Sequence, residues 1–321
     1  MDNALQHWER RIGRRLKLRD LHILSTVVQW GSMAKAASHL AMSQPAVSES
    51  IANLEGALRV RLLDRSTRGI EPTLYAHALL KRGHVVFDEL RQGIRDIEFL
   101  ANPTVGEVRV ASGDTLAAGL LPAVIDRLSR RHPQIVVRVV QANAETMEFP
   151  ELRERKVDLA LARIPRSFVE DDLDVEILFD DPHRVVAGTR SPLARRRKIT
   201  LAELVNEPWI FASSQIIREL IAEVFKAHGL KVPQERVSAS SILLRNHLLA
   251  TGRFLTVLPD SVLRYNAKQW ALKALPVDLG VKLRSVAIVT LKNRTVSPVV
   301  QLFVEHVRAV AKTMSAPSGS G

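Results

Sequence analysis

Apolar positions between residues 32 and 58 fall at helical intervals on two short stretches separated by a break. Ser32 is placed as an N-cap, followed by the small residues Ala34, Ala36 and Ala37, which admit a neighbouring helix, and by Leu40 as an inward anchor. Ala41 and Met42 turn the chain. Ser43 is positioned to cap the second stretch, and Pro45 lies in its first turn, where a missing N–H breaks no intrahelical bond. Val47, Ile51, Leu54 and Leu58 then recur at i, i+4, i+7 and i+11 and share one face, leaving Pro45, Ser48, Glu49 and Ala52 toward the opposite one. The pattern predicts two helices joined by a tight turn, the second with a small, polar outer edge.

From Thr73 to about Ala101 there is no proline, and apolar residues repeat with period seven: Leu79, Val86 and Leu100; Leu80, Phe87 and Ile94; Leu90 and Ile97. One amphipathic helix of roughly 40 Å is predicted, too long for a small domain to cover, so its stripe calls for a partner, either a second copy of the chain or another part of the same chain. Gly83 and Gly93 weaken it by about 1 kcal/mol each relative to alanine. They are expected to allow close helix packing. His77 and His84, seven apart on this helix, lack a third ligand and read as surface histidines.

Asn102-Pro103 ends the helix, after which strand and helix signals alternate. Strands are expected at Glu107 to Ala111, Ile135 to Gln141, Val157 to Ala162, Val175 to Phe179, Arg184 to Ala187, Ile210 to Phe211, Phe254 to Leu258 and Ser285 to Leu291. Helices are expected at Leu116 to Arg131, Ile216 to His228, Ile242 to Thr251 and Val299 to Met314. Such α/β arrangements bind small molecules beyond the carboxyl ends of their strands.

The helix pair has the dimensions of a DNA reader. A recognition helix enters a major groove about 12 Å wide only when its outer side chains permit close backbone approach. Gln44 can pair bidentately with adenine, and Ser48 can donate or accept at several base edges. A plain helical hairpin has the same spacing. The pair Ala36-Ala37, the run Ser43-Gln44-Pro45-Ala46-Val47-Ser48, Leu54-Glu55 and the segment Leu62-Leu63-Asp64-Arg65-Ser66-Thr67-Arg68 together resemble the N-terminal signature of the LysR-type transcriptional regulators.

That resemblance implies a winged helix-turn-helix domain, mostly α, over residues 18–75, with a first helix at about Leu18 to Trp30 and Leu21, Leu24 and Val28 facing inward. It implies a linker helix at 76–102 that dimerises two chains and presents paired reading heads to an inverted repeat in double-stranded DNA. Beyond it comes an α/β effector-binding domain at 103–314, two lobes resembling periplasmic solute receptors. With crossings near Ile164 and Asn266, lobe I covers 103–165 and 267–314 and lobe II covers 166–266. Residues 1–17 form a basic extension and 315–321 a disordered tail. Arg65 and Arg68 would flank a wing reaching phosphates or the minor groove. Two departures stand out: Glu49 where relatives often carry a base, and Arg59 where glycine is common before the wing. Ser32, Ala34, Ser43, Gln44, Pro45, Ser48, Glu49, Arg65 and Arg68 make up the expected DNA-binding set.

Composition changes this picture little. The net charge of +12 favours a polyanion, but residues 1–72 hold 11 basic and 7 acidic groups, only +4 of it, so the motif and not the charge names DNA. No cysteine is present, which excludes disulfides, thiol nucleophiles and cysteine zinc sites. The N-terminus lacks the apolar core of a signal peptide and no apolar run reaches the roughly 18 residues that span a membrane, so a cytoplasmic protein is expected. No cofactor or metal is expected. The Arg195-Arg196-Arg197-Lys198 run reads as a solvated loop.

Effector contacts are expected where loops leave strands: Ser112 and Thr115 at the start of a helix whose free N–H groups favour an anion, Asn143, Arg163, Ser213 and Ser214, and Arg253 before its strand. Gly252-Arg253-Phe254 stands where the family carries Gly-x-Gly. The wing and linker wording also resembles a branch that includes sugar-responsive regulators, although Ala76 replaces a frequent glycine, so a sugar and an acidic small molecule both stand as effector classes. No GxSxG, GxxxxGK[ST], HExxH or GxGxxG motif marks an enzyme. A solute receptor accounts for the C-terminal two thirds but leaves both the reading helices and the linker helix unused. The expected protein is therefore a homodimeric or homotetrameric regulator, in which an effector shifts lobe packing, DNA spacing or bending and, through these, promoter occupancy by RNA polymerase.

Overall fold

The computed structural model describes residues 16–66, 69–142, 147–280 and 284–314. The chain divides into two compact units that meet within one long helix at Gly93 and Ile94.

The first unit is built on α1 (Leu18–Trp30), α2 (Met33–His39) and α3 (Gln44–Leu58), with a hairpin of β1 (Leu63–Ser66) and β2 (Gly69–Pro72). Leu24 and Val27 of α1, Ala36 of α2, and Val47, Ile51 and Leu54 of α3 are wholly buried together. Truncating Ile51 or Leu54 to alanine in such a core costs about 2–5 kcal/mol. A half-buried hydrogen bond from Ser50 Oγ to Asp20 Oδ1 (2.7 Å) fastens α3 to the first turn of α1. Glu55 accepts from the amides of Leu62 (2.7 Å) and Leu63 (3.2 Å), so the Leu54-Glu55 pair is one core anchor plus one clamp on the start of the hairpin. α3 ends at Arg59 in a left-handed conformation (φ 58°, ψ 32°), the geometry that glycine adopts without penalty.

The helix α4 (Leu74–Ala101) follows Thr73, whose hydroxyl accepts from the Ala76 amide and donates to the Arg61 carbonyl. It starts two residues before the expected linker boundary at 76. Ala76 and Leu80 pack into the first core, whereas Leu90, Ile94, Ile97 and Leu100 line one exposed stripe. A Cβ built on Gly83 or Gly93 would meet nothing within 4 Å, so no contact inside one chain requires either glycine.

The second unit continues with β3 (Val105–Ser112), α5 (Asp114–Ala118), α6 (Leu120–Arg131), β4 (Gln134–Gln141), α7 (Pro150–Arg153), β5 (Leu159–Ile164), β6 (Leu173–Asp180), β7 (His183–Gly188), α8 (Leu201–Leu204), β8 (Trp209–Phe211), α9 (Gln215–Ala227), β9 (Glu235–Ser238), α10 (Ile242–Ala250), β10 (Leu255–Pro259), α11 (Asp260–Asn266), β11 (Leu272–Ala274), β12 (Ser285–Leu291) and α12 (Pro298–Met314). Two mixed five-stranded sheets result, in the orders β4-β3-β5-β12-β6 and β11-β7-β10-β8-β9. Each has its own core, one centred on Phe303, Leu120 and Val286, the other on Trp209 and Phe225.

The fold departs from the sequence pattern at two places. Strand β6 pairs antiparallel with β12 over Leu173 to Asp180, so it belongs to the first sheet. The chain therefore crosses at residues 181–182, not near Ile164, and returns only after β11, between residues 275 and 284, not near Asn266. A lobe boundary is set by which strands pair, and pairing partners more than a hundred residues apart leave no local mark. The helix expected over Leu116 to Arg131 is two helices, broken at Gly119, where a Cβ would stand 3.0–3.1 Å from the Thr115 carbonyl oxygen and the Ser261 backbone. Close passage of α11 therefore makes that break.

Candidate functional site

At the DNA-facing end, Ser32 caps α2 by accepting from the Lys35 amide (3.4 Å), and Ser43 caps α3 by accepting from the Ala46 amide (3.3 Å). Both hydroxyls are thereby engaged in helix starts. Gln44, Pro45 and Glu49 are exposed and Ser48 is half-buried on the edge of α3 opposite Val47, Ile51 and Leu54, and Ala34 is exposed on α2. The turn between α2 and α3 places Ala41 at a positive φ of 53°. Arg65 lies on β1 opposite Ile70. Arg68 lies outside the described residues.

The second unit holds a cavity of about 470 Å³ lined by residues of both lobes. Among them are Thr115, Arg163, Ser213 and Ser214 of the expected set. Ser112 is buried with its hydroxyl turned onto the Gly113 carbonyl, and it is absent from the lining. The start of α5 carries its own carboxylate, Asp114, in the place expected for a ligand anion. Arg253 is exposed away from the cavity, its guanidinium carbon 5.5 Å from the Phe254 ring centroid. Gly252 before it has φ 79° and sits so close to Arg190 that a Cβ would stand at 2.9 Å. The glycine of the Gly252-Arg253-Phe254 sequence is therefore a backbone requirement. Asn143 lies outside the described residues.

Arg163 is committed to the protein. Its Nη2 reaches Asp181 Oδ2 at 2.6 Å and Ser261 Oγ at 2.9 Å, and its Nη1 donates to Thr115 Oγ1 at 2.6 Å. Ser261 donates to the same carboxylate through its amide (2.9 Å) and its hydroxyl (2.6 Å). These groups come from β5, the crossing at residue 181 and the start of α11, and Asn266 Nδ2 adds a bond to the Ala118 carbonyl (2.8 Å). Beside them, burial, the Arg163 charge and, more weakly, the Arg284 charge hold the His183 imidazole down at about 4, against a smaller upward pull from Asp181. His183 is neutral at physiological pH.

Two cavity-lining arginines were not anticipated. Arg245 on α10 is 3% exposed, its Nε is buried without a hydrogen-bond partner, and burial lowers its pKa against a smaller opposing pull from Asp114. Arg284, just before β12, has its pKa lowered by burial, and among the described residues its side chain donates to Met147 Sδ at 3.7 Å and to no carboxylate. Both had a sequence signal: a lone cation inside the apolar run ILLRNHLLA, and a cation at the mouth of the apolar strand SVAIVTL. Among the described residues no group of acidic, histidine or cysteine side chains forms a metal site.

Comparison with known proteins agrees with this arrangement. Residues 18–77 match the model of the bacterial regulatory helix-turn-helix protein, lysR family, and residues 101–312 match the LysR substrate binding domain. The chain is 25% identical over 301 residues to the HTH-type transcriptional regulator GbpR of Azospirillum brasilense, covering 93% of this chain and 88% of that one. Among solved structures it resembles a full-length OxyR variant from Pseudomonas aeruginosa (22% identity, TM-score 0.61, 92% of this chain and 95% of that one). It also resembles full-length CbnR in complex with its target DNA (23% identity, TM-score 0.51, 92% and 100%). The chain belongs to the LysR family of DNA-binding transcriptional regulators, with a helix-turn-helix domain followed by an effector-binding domain.

Proposed function

We propose that this LysR-family regulator reads its operator through Gln44 and Ser48 on the outer edge of α3, with Pro45 and the exposed Ala34 permitting close approach and Arg65 and Arg68 serving the wing. The carrying observation is the division of α3 into a wholly buried face of Val47, Ile51 and Leu54 and an outer edge whose exposed or half-buried side chains are small or polar. Glu49 contributes no phosphate contact and instead accepts from a cytosine amino group or rejects competing sequences. Two heads are joined through the exposed stripe of α4, in a dimer or a pair of dimers, on an inverted repeat. Occupancy responds to a small molecule in the cavity of the second unit, and the readout is contact with RNA polymerase at the promoter. The protein acts in the cytoplasm and carries out no chemical reaction of its own. Among the described residues no helix is long and apolar enough to cross a membrane.

Fluorescence anisotropy at physiological salt, with duplex DNA from upstream of its own gene and a shuffled duplex of equal length, tests the reading. The upstream duplex is expected to bind at least about a thousandfold tighter. Equal binding of the two would refute it.

A further inference from the structure

Resting on the reading of the cavity as the effector site, we infer that its ligand is a small organic carboxylate, gripped by Arg245 from one lobe and Arg284 from the other. Around the cavity the third arginine is matched: Arg163 is neutralised by Asp181 at 2.6 Å. Deeper in the first lobe, Arg109 and Arg294 share Asp158. Arg245 and Arg284 break this rule, since neither forms an ion pair among the described residues. Arg245 is buried and Arg284 half-buried, and a guanidinium that folding desolvates without an anion is costly, a cost that a ligand carrying the missing charge offsets.

Asp114 does not supply it. Its charge reaches Arg245, but its Oδ1 accepts from Gln141 Nε2 at 2.6 Å and no ion pair forms. A third feature favours an anion on its own account. The helix α9 begins at the cavity, its N-cap residue Ser214 makes no capping bond, and Ser213, Ser214, Ile216 and Ile217 line the wall. Free first-turn amides and the positive end of a 13-residue helix therefore face the same space as the two arginines. The fork of a guanidinium pairs bidentately with a planar carboxylate. The remaining wall, which includes Leu116, Phe149 and Val257, suits an apolar body, and neutral His183 can serve a hydroxyl or carbonyl on it. A sugar answers neither unmatched charge.

The source is either a simple carboxylic acid or an amino acid, whose ammonium would find Glu151 or Asp114 on the same wall. Full-length protein is titrated with sodium benzoate, 2-oxoglutarate, L-glutamate, L-phenylalanine, benzamide, D-galactose, sulfate and phosphate, each against sodium chloride at equal ionic strength. Thermal shift and calorimetry provide the readouts. At least one carboxylate is expected to raise Tm by about 2 °C or more, while benzamide and galactose do not. Affinity for that carboxylate should fall at least about tenfold in Arg245→Met and in Arg284→Met and stay unchanged in Arg253→Met. A response to oxo or aromatic acids alone selects simple acids, and a preference for glutamate or phenylalanine selects amino acids.

The ligand-free methionine variants are expected to melt at or above the parent temperature, since each loses a desolvated charge that has no partner. The inference is overturned if galactose, benzamide or only sulfate and phosphate stabilise the parent, if no anion does, if carboxylate affinity survives both methionine substitutions, or if both substitutions lower the ligand-free Tm by several degrees. Specific DNA binding without arginine-dependent carboxylate binding removes this inference alone. The converse result removes the regulator reading alone.

Discussion

Arg163 Nη2 and Asp181 Oδ2 stand 2.6 Å apart at the point where the chain leaves the first sheet for the second, with Asp181 almost wholly buried. Ser261 at the head of α11 donates twice to the same carboxylate, so one charge ties the crossing to both lobes. Asp181→Asn leaves the Arg163 cation buried without its counter-charge. A loss of about 3–5 kcal/mol is expected, measured by urea denaturation of the full-length protein. A change under 1 kcal/mol would show that the pair carries no net load.

His183 makes stability depend on pH. Its folded pKa, held at about 4, lies below the unfolded value near 6.5, so below pH 6.5 the unfolded chain takes the proton first. Stability is full above pH 6.5 and falls as pH drops toward 4, by on the order of 3 kcal/mol from this group. In His183→Asn the slope of stability against pH over that window should flatten. NMR titration of the imidazole provides the direct check, and a value near 6.5 would contradict the burial argument.

Arg59 pays for a left-handed backbone that glycine adopts freely, and its side chain is exposed. Arg59→Gly is therefore expected to stabilise the first unit by about 1 kcal/mol, seen as a raised denaturation midpoint with an unchanged slope. Destabilisation would mean that the arginine stem makes a packing contribution larger than the strain.

On α3, Gln44→Ala is expected to weaken operator binding by about 1–3 kcal/mol while leaving binding to shuffled DNA unchanged. Equal losses on both duplexes would remove Gln44 as a base reader and leave it a backbone contact.

The exposed stripe on α4 predicts its own disruption. Ile94 and Ile97 are 58% and 68% exposed. Replacing both by glutamate puts two charges into any helix pair formed there, while the fold of each unit is kept. Sedimentation should show a shift toward monomer, accompanied by weaker operator binding. An unchanged oligomer would place the interface elsewhere.

What the sequence by itself determined lies within short reach along the chain. The helix-turn-helix occupies some thirty residues whose caps, turn and apolar spacing are local, so its two helix starts, at Ser32 and Ser43, were legible. The long helix and most strands of the second unit were legible for the same reason, because periodicity records which face of an element is buried. It does not record what buries that face. Only the tertiary structure decided that β6 joins β12, that α11 splits the helix at Gly119, that Arg163 is spent on Asp181 and that Arg245 and Arg284 reach one cavity unmatched. Those outcomes depend on partners 18 to more than a hundred residues away, where an arginine bound to a buried carboxylate and one awaiting a ligand look alike in sequence and differ only in what folding brings beside them.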